Sequence, residues 1–157
     1  MKLLLESKEV WKAHQLAAAA HKGQTDKGGS PYINHPIAVA EALETEEEQV
    51  VALLHDVVED TPITLEELLK QGFSQRVVQA VDCLTHREGE PREAYLARIK
   101  SDSLATAVKI SDLRHNSDLG RIPIPTEKDF ARVEKYKREM EYLKNPCSCI
   151  PGNGFTK

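Results

Sequence analysis

The chain has 157 residues, of which 40% are hydrophobic and 29% are charged, and its formal net charge is −4. This length and composition favour one soluble domain with its own hydrophobic core. The apolar runs are too short for a membrane span, and an acidic chain is untypical of proteins that bind polymeric nucleic acid. We therefore expect neither partner. The apolar start at residues 1–5 is too short for a secretory signal, which favours a cytoplasmic location.

Hydrophobic periodicity and capping residues predict helices along almost the whole chain. Ser7 begins the first helix and Gly23 ends it, Pro36 opens the second, and the third runs unbroken from about Glu46 to Val58. Further helices are predicted to begin at Thr64, Ser74, Pro91, Ser103 and Thr126, the last ending near Leu143. Because no useful stretch alternates like a strand, the sequence predicts an all-α, single-domain helical bundle.

The C-terminal segment differs from the rest. It contains Cys147 and Cys149, which are too close together to form a good disulfide, and no second cysteine pair could complete a zinc site. Cys83 lies in an apolar helical stretch and is expected to be a small core residue. We assign residues 1–145 to the folded domain and residues 146–157 to a flexible tail.

The run VVALLHDVVEDTP, residues 50–62, places His55, Asp56, Glu59 and Asp60 among apolar residues. Burying charge without partners is expensive, so either one stripe of the helix is exposed or a cation compensates. Residues three and four apart share a helix face, which puts Asp56 beside Glu59 and Asp60. His55 and Asp56 are about 100° apart around the axis, so they converge on one ion only in a groove against another helix.

Two residues elsewhere could complete a metal site. His35 precedes Pro36 and is therefore biased toward an extended backbone, which could aim its ring into a cleft. Asp112 interrupts an apolar helix face one turn before Asn116. Together with His55 and Asp56 they form a mixed nitrogen and oxygen set that suits Mn²⁺, Fe²⁺ or Co²⁺, with Zn²⁺ also compatible.

Such an ion activates water and polarises phosphoryl oxygens, and the surplus acids Glu59 and Asp60 could orient the water or carry protons. Each group also has an ordinary interpretation: a solvated helix end for the acids, a packed ring for His35, and local hydrogen bonding for Asp112. The remaining histidines are expected to be structural or peripheral: His14, His21, His86 and His115.

Three blocks occur in order: AAHKGQTDKGGSPYINHP, ALLHDVVEDT and VKISDLRHN. Together they resemble the HD superfamily of metal-dependent phosphohydrolases, and more closely its RelA/SpoT-type hydrolase branch, which includes stand-alone small alarmone hydrolases. The resemblance spans about Ser7 to Leu143. It implies an HD-type helical bundle, with residues 1–145 as an HD-type hydrolase domain.

The resemblance also implies roles for individual residues. The metal, usually manganese in that branch, would be bound by His35, His55, Asp56 and Asp112. Glu59 and Asp60 match the acidic pair that activates the attacking water, while Lys27, Tyr32 and Asn116 match positions near the nucleotide. The family reaction removes pyrophosphate from the 3′ position of guanosine tetra- or pentaphosphate, (p)ppGpp.

The sequence departs from this pattern at two places. Many members carry an arginine that stacks on guanine where this chain has Asp26, and an acid cannot supply a cationic face. In the third block, the usual order Asp-Arg-Leu-His-Asn is replaced by Asp-Leu-Arg-His-Asn, with Arg114 one position later. Adenosine analogues such as (p)ppApp, or another nucleotide such as NADPH, are therefore alternatives to (p)ppGpp. Candidate phosphate contacts are Lys22, Lys27, Arg114 and Arg121, although ordinary surface charge explains Lys22 and Arg121 equally well.

Our leading hypothesis is a Mn²⁺-dependent pyrophosphohydrolase of such nucleotides. The alternative is an HD-type phosphatase that releases orthophosphate from nucleoside monophosphates or NADPH. A module that only binds nucleotide is disfavoured, because binding does not require the surplus acids Glu59 and Asp60. The chain has no Gly-rich phosphate loop and no second region for a synthetase, so we expect degradation only. A homo-oligomer remains compatible with the sequence.

Overall fold

The computed structural model describes residues 3–146, which contain nine α-helices and no named strand. The helices are α1 (Lys8–Ala20), α2 (Asn34–Glu41), α3 (Glu46–Leu54), α4 (Val57–Asp60), α5 (Leu65–Lys70), α6 (Gln75–Leu84), α7 (Arg92–Lys100), α8 (Ser103–Asn116) and α9 (Glu127–Lys144). A 3₁₀ turn, Leu119–Arg121, lies between α8 and α9. This confirms the all-α prediction. The tail predictions for Cys147 and Cys149 concern residues outside the described range.

Local capping explains where most helices begin. The Ser7 hydroxyl accepts a hydrogen bond from a first-turn amide of α1, and Ser74 does the same for α6. Thr64 and Glu67 form the reciprocal capping box that the sequence indicates. Asp102, rather than Ser103, caps α8. These starts are therefore fixed by side chains within a few residues of each helix end.

The predicted helix over residues 46–58 is interrupted. α3 ends at Leu54, His55 and Asp56 form a turn, and α4 begins at Val57. The ring Nδ1 of His55 donates a hydrogen bond to the carbonyl of Ala52, so a side chain joins the hydrogen bonding at this helix end. The interruption places His55 and Asp56 at a helix junction instead of on an unbroken helix.

α2 begins at Asn34, two residues before the predicted start. His35 consequently lies in the first helical turn, and the prediction of an extended His35 was wrong. Pro36 is tolerated there because first-turn amides have no acceptor within the helix. The His35 ring is nevertheless buried, because α2 packs against both α3 and α8.

The core is centred on α3. Val51, Leu53 and Leu54 are fully buried, and α3 packs against α1, α2, α6 and α8. α8 in turn packs against α2, α6, α7 and α9, while Cys83 is half-buried beside the core. The junction of α2, α3 and α8 is thus held on all sides. Within residues 3–146, no helix combines the length and apolarity that a bilayer crossing requires.

Asp102 links α8 to α6, and its loss is expected to lower the free energy of unfolding. Its carboxylate accepts a hydrogen bond from the Ala105 amide and two from Arg76, at 2.8 and 3.1 Å. Asp102→Ala removes both the cap and the ion pair, so we expect a loss of about 1–2 kcal/mol. Urea unfolding of wild type and Asp102→Ala at pH 7 measures this difference in the free energy of unfolding.

Asp102→Asn keeps a cap acceptor and removes the charge. Burial raises the pKa of Asp102, but the Arg76 guanidinium and the Ala105 amide outweigh it and lower the pKa. A carboxyl with a lowered folded-state pKa stabilises above its unfolded value, and this contribution disappears as pH falls through the folded value. The wild-type advantage over Asp102→Asn should therefore shrink below about pH 4. An advantage that stays constant to pH 2 would contradict this assignment.

Candidate metal centre and active-site cleft

Imidazole and carboxylate groups meet where α2, α3 and α8 pack together. Nε2 of His55 lies 3.0 Å from Oδ2 of Asp56 and 3.6 Å from Oδ1 of Asp112. Nε2 of His35 lies 2.9 Å from Oδ1 of Asp112 and 3.9 Å from Oδ2 of Asp56. Two ligands at right angles, each about 2.1 Å from one ion, are about 3.0 Å apart, so these separations suit a shared cation. The structure thus brings together all four candidate ligands.

The centre carries strong negative charge. Burial lowers the pKa of His55, but the carboxylates of Asp56 and Asp112 outweigh it and raise that pKa well above its usual range. Burial raises the pKa of Asp112, but Lys109, His35 and His55 outweigh it and hold that pKa well below its usual range. The two carboxylates therefore remain charged and favour a positive group between them and the imidazoles.

The far side of each imidazole orients its Nε2 toward the centre. Nδ1 of His55 donates to the Ala52 carbonyl, and Nδ1 of His35 lies 2.7 Å from Nδ1 of His115. Burial and the neighbouring His35 lower the pKa of His115 to about 4, so its ring is neutral and can accept a hydrogen bond. Nε2 of His55 is buried and has two carboxylate oxygens as its charged neighbours, Oδ2 of Asp56 and Oδ1 of Asp112. A divalent cation at this position would replace the proton on Nε2 and neutralise both carboxylates, so the donor set fits a metal.

Lys109 is a buried contributor that the sequence analysis did not single out. Its Nζ lies 2.8 Å from Oδ2 of Asp112, and Nδ2 of Asn116 donates to Oδ1 of the same carboxylate at 2.9 Å. Burial lowers the pKa of Lys109, but Asp112 outweighs it and raises that pKa above its usual range. The available signal was a lysine three residues before Asp112, on the same face of an otherwise apolar helix.

Glu59 and Asp60 lie on α4 at the exposed edge of the centre. Each offers a carboxylate oxygen, and these atoms lie within 4.8 Å of one another and of an oxygen of Asp56. Oε1 of Glu59 accepts a hydrogen bond of 2.7 Å from the His86 amide. Burial and the charges of Asp56 and Glu59 raise the pKa of Asp60, which makes it a better proton acceptor than an ordinary aspartate.

The segment between α1 and α2 braces these groups from the other side. The Tyr32 hydroxyl donates a hydrogen bond to Oδ2 of Asp56. Nε2 of Gln24 donates to the Asp60 carbonyl at 3.1 Å, and Oε1 of Gln24 lies 2.9 Å from Nδ1 of His21. His21 is buried and also packs against the Tyr32 ring.

A cleft of about 300 Å³ opens beside His35. Its lining residues are Thr25, Asp26, Lys27, Gly28, Tyr32, His35, Asn116, Asp118, Arg121, Ile122, Arg132 and Tyr136. Lys27, Tyr32 and Asn116, the residues that the sequence analysis predicts to lie near the nucleotide, therefore line one cleft. Arg132 and Tyr136 were not anticipated, because they come from α9, outside the three sequence blocks.

Arg114 is not brought to this cleft. Leu113 is buried and Arg114, the next residue of α8, is exposed. Successive residues of a helix are rotated by about 100°, so the order Leu-Arg directs the leucine to the core and the arginine to solvent. The expectation of a substrate contact by Arg114 has no support in the structure.

Comparison with known proteins identifies the family of this chain. A sequence model of the HD domain family matches residues 13–115. The guanosine-3′,5′-bis(diphosphate) 3′-pyrophosphohydrolase of Haemophilus influenzae is 39% identical over 117 residues, and the bifunctional (p)ppGpp synthase/hydrolase SpoT of Escherichia coli is 35% identical over 124 residues. These alignments cover 64% and 69% of this chain but 17% and 18% of the relatives. The chain thus spans less than a fifth of those proteins.

The fold also has a solved counterpart. A metazoan SpoT ortholog, described as hydrolysing ppGpp, superposes with a TM-score of 0.73 at 24% sequence identity. The superposition covers 92% of this chain and 90% of that one, which confirms the HD-type helical bundle. Since the match over residues 13–115 contains His35, His55, Asp56 and Asp112, this chain belongs to the HD domain family.

Proposed function

We propose that this protein is a Mn²⁺-dependent hydrolase that removes pyrophosphate from the 3′ position of guanosine or adenosine tetra- or pentaphosphate. The observation that carries the proposal is the convergence of four metal donors, in which Nε2 of both His35 and His55 lies within 3.9 Å of a carboxylate oxygen of both Asp56 and Asp112, beside a cleft lined by Lys27. The Haemophilus influenzae and Escherichia coli relatives, named for 3′-pyrophosphohydrolase and (p)ppGpp synthase/hydrolase activity, support the same substrate class.

Membership of the HD domain family and the His/Asp cluster indicate a divalent metal. We propose Mn²⁺, held by His35, His55, Asp56 and Asp112, because this mixed donor set is of intermediate hardness. When bound, the ion supplies Lewis-acid polarisation of the phosphoryl group and of water. Lys109 holds Oδ2 of Asp112, and Asn116 donates to Oδ1, the oxygen that faces both imidazoles.

The exposed acids handle the proton of the attacking water. Asp60, whose pKa is raised, accepts that proton as the water oxygen bonds to the phosphorus next to the ribose. The bond between that phosphorus and the ribose 3′ oxygen breaks, and the 3′ oxygen takes up a proton from solvent water to become a hydroxyl. Glu59, held at one oxygen by the His86 amide, orients the water with the other. Lys27, exposed on the cleft wall, supplies positive charge to the phosphates, while Tyr32 and Asn116 connect that wall to Asp56 and Asp112.

Product analysis tests the reaction class. The Mn²⁺-loaded protein is incubated in parallel with ppGpp, ppApp, NADPH and deoxynucleoside monophosphates. We expect pyrophosphate with GDP from ppGpp and with ADP from ppApp, and no product after chelation with EDTA. Orthophosphate from monophosphates or NADPH would identify a phosphatase instead. Tight binding without any product would leave a nucleotide-binding module.

Substitutions separate metal binding from proton transfer. Asp56→Ala should remove both bound metal and activity, because it deletes a ligand at the junction. Glu59→Gln and Asp60→Asn should retain metal but lower kcat by roughly 100-fold or more, since each removes a group that orients or deprotonates water. Metal content by elemental analysis and kcat are measured together, with Glu66→Gln on α5 as the exposed-acid control. Full activity in both Glu59→Gln and Asp60→Asn would refute these roles.

Arg98 holds the segment that positions Glu59. Its guanidinium pairs with Glu90 at 2.6 Å and donates hydrogen bonds to three backbone carbonyls, those of Asp82, Cys83 and Thr85. The next amide along the chain, that of His86, is the donor to Glu59. Glu59 therefore depends on a loop that Arg98 fastens, which makes Arg98 a positioning residue.

We expect Arg98→Ala to lower kcat at least fivefold while the metal content and KM stay unchanged, because only the Glu59 contact is loosened. The control is Arg87→Ala, which removes an exposed ion pair from the same loop without touching its carbonyls. In a Glu59→Gln background Arg98→Ala should change kcat no further. An equal effect in both backgrounds would show that Arg98 acts on stability alone.

A further inference from the structure

Arg121 and Asp26 form an ion pair on the wall of the cleft. Nη2 of Arg121 lies 3.2 Å from Oδ2 of Asp26, and its Nη1 donates to the His115 carbonyl at 3.3 Å. Both residues line the cleft, and their side chains are 29% and 20% exposed. The edge of the guanidinium is thus engaged with the protein, while the group stays accessible from the cleft.

Both carboxylate oxygens of Asp26 accept hydrogen bonds within the protein. Its Oδ1 accepts hydrogen bonds from the amides of Gly28 and Ser30, both at 2.9 Å, and its Oδ2 faces Arg121. Burial raises the pKa of Asp26, but these amides and Arg121 outweigh it and lower the pKa. The carboxylate is therefore charged and anchors the guanidinium.

The two segments that carry this pair touch each other. A Cβ built on Gly28 would lie 3.3 Å from the Arg121 carbonyl oxygen and 3.3 Å from Oδ1 of Asp26. The loop itself is closed by a bridge between Thr25 and Pro31. The loop and the 3₁₀ turn therefore form one wall of the cleft together, and the backbone of Arg121 is part of that wall.

The charge of this pair decides what it can bind. A phosphate approaching Arg121 also meets the charged carboxylate of Asp26, so the pair offers little net attraction to an anion. A guanidinium whose edge is occupied still presents its planar face, and such faces stack on nucleobases. Lys27 on the same wall has an exposed ammonium and is better suited to phosphate.

We propose that Arg121, oriented by Asp26, stacks on the purine base of the nucleotide. The inference rests on the proposed function for the class of ligand. Arg121 is the base-binding residue and Asp26 its positioning residue. Because stacking engages the π-face that all bases share, the cleft accepts guanine and adenine alike, so the substrates are purine nucleotides with a 3′-pyrophosphate, whichever purine they carry.

Binding to the Mn²⁺-loaded full chain tests this without turnover. Calorimetric Kd values are measured for GDP, ADP and ribose 5-phosphate with wild type, Arg121→Ala and Arg121→Lys. We expect both variants to weaken GDP and ADP at least about tenfold and to change ribose 5-phosphate by less than about twofold. Recovery of full affinity in Arg121→Lys, which keeps the charge but lacks the plane, would overturn the proposal. A loss for GDP without one for ADP would overturn the tolerance of both purines.

A double-mutant cycle tests the role of Asp26. Asp26→Asn should weaken GDP and ADP binding in the wild-type background and have no effect in the Arg121→Ala background, because Asp26 acts through Arg121. Equal losses in both backgrounds would assign Asp26 a separate contact and overturn its role. The matched control is Arg76→Ala, which removes a similarly exposed Arg–Asp pair between α6 and α8 and should leave every Kd unchanged.

The outcomes separate this inference from the proposed reaction. If GDP and ADP bind through Arg121 but ppGpp and ppApp release no pyrophosphate, the reaction fails and the base contact stands. If pyrophosphate is released and Arg121→Ala leaves Kd and KM unchanged, the base contact fails and the reaction stands. A wild-type protein that binds neither GDP nor ADP would overturn the base contact alone, because pyrophosphate release is the test of the reaction.

Discussion

The carboxylates of Asp112, which is buried, and of Asp56, which is partly buried, impose the constraint on which the rest of this structure depends. Charge at a junction of three packed helices is costly unless opposite charge and hydrogen bonds compensate it. Lys109 supplies one positive charge to Asp112, and Tyr32 donates to Asp56. The raised pKa of His55 indicates that negative charge is still in excess after these contacts. A metal ion bound at this point would therefore contribute to folding as well as to chemistry.

The imidazoles of the centre are buried and held in place, whereas its acids Glu59 and Asp60 are exposed. The imidazoles are fixed by groups behind them, the Ala52 carbonyl for His55 and His115 for His35. The acids Glu59 and Asp60 are exposed; the His86 amide donates to the Glu59 carboxylate, and the Gln24 side chain donates to the Asp60 carbonyl. Such a division suits hydrolysis, since ligands need fixed positions while water and substrate must enter.

The sequence predicted what local chemistry determines. Ser7 and the Thr64–Glu67 pair specify helix starts through contacts within three residues, so these starts could be found without the structure. The grouping of His35, His55, Asp56 and Asp112 was likewise predicted, because these residues lie in three sequence blocks whose order resembles that of the HD superfamily.

The features that were missed depend on packing or on distant partners. The break at His55 involves a ring-to-carbonyl hydrogen bond, and the entry of His35 into α2 depends on how three helices meet. Asp26 and Arg121 are 95 residues apart, so no local pattern could pair them. From the sequence alone, Asp26 indicated the loss of a cation at this position, whereas the structure places Arg121, from another segment, beside it.

The pairing of Asp26 with Arg121 affects how a nucleotide would lie in the cleft. A cleft with free cations along its whole length attracts phosphate everywhere, and a ligand with two phosphate groups could then bind in either direction. Pairing Arg121 with Asp26 cancels the charge of that arginine, while Lys27 on the same wall and a metal-loaded centre remain able to attract phosphate. On the proposed function, this uneven charge favours the orientation that brings the pyrophosphate to the metal and the base to the neutral pair. Asp26 then contributes to substrate orientation, because it cancels the charge of Arg121, which would otherwise attract a phosphate group to the position proposed for the base.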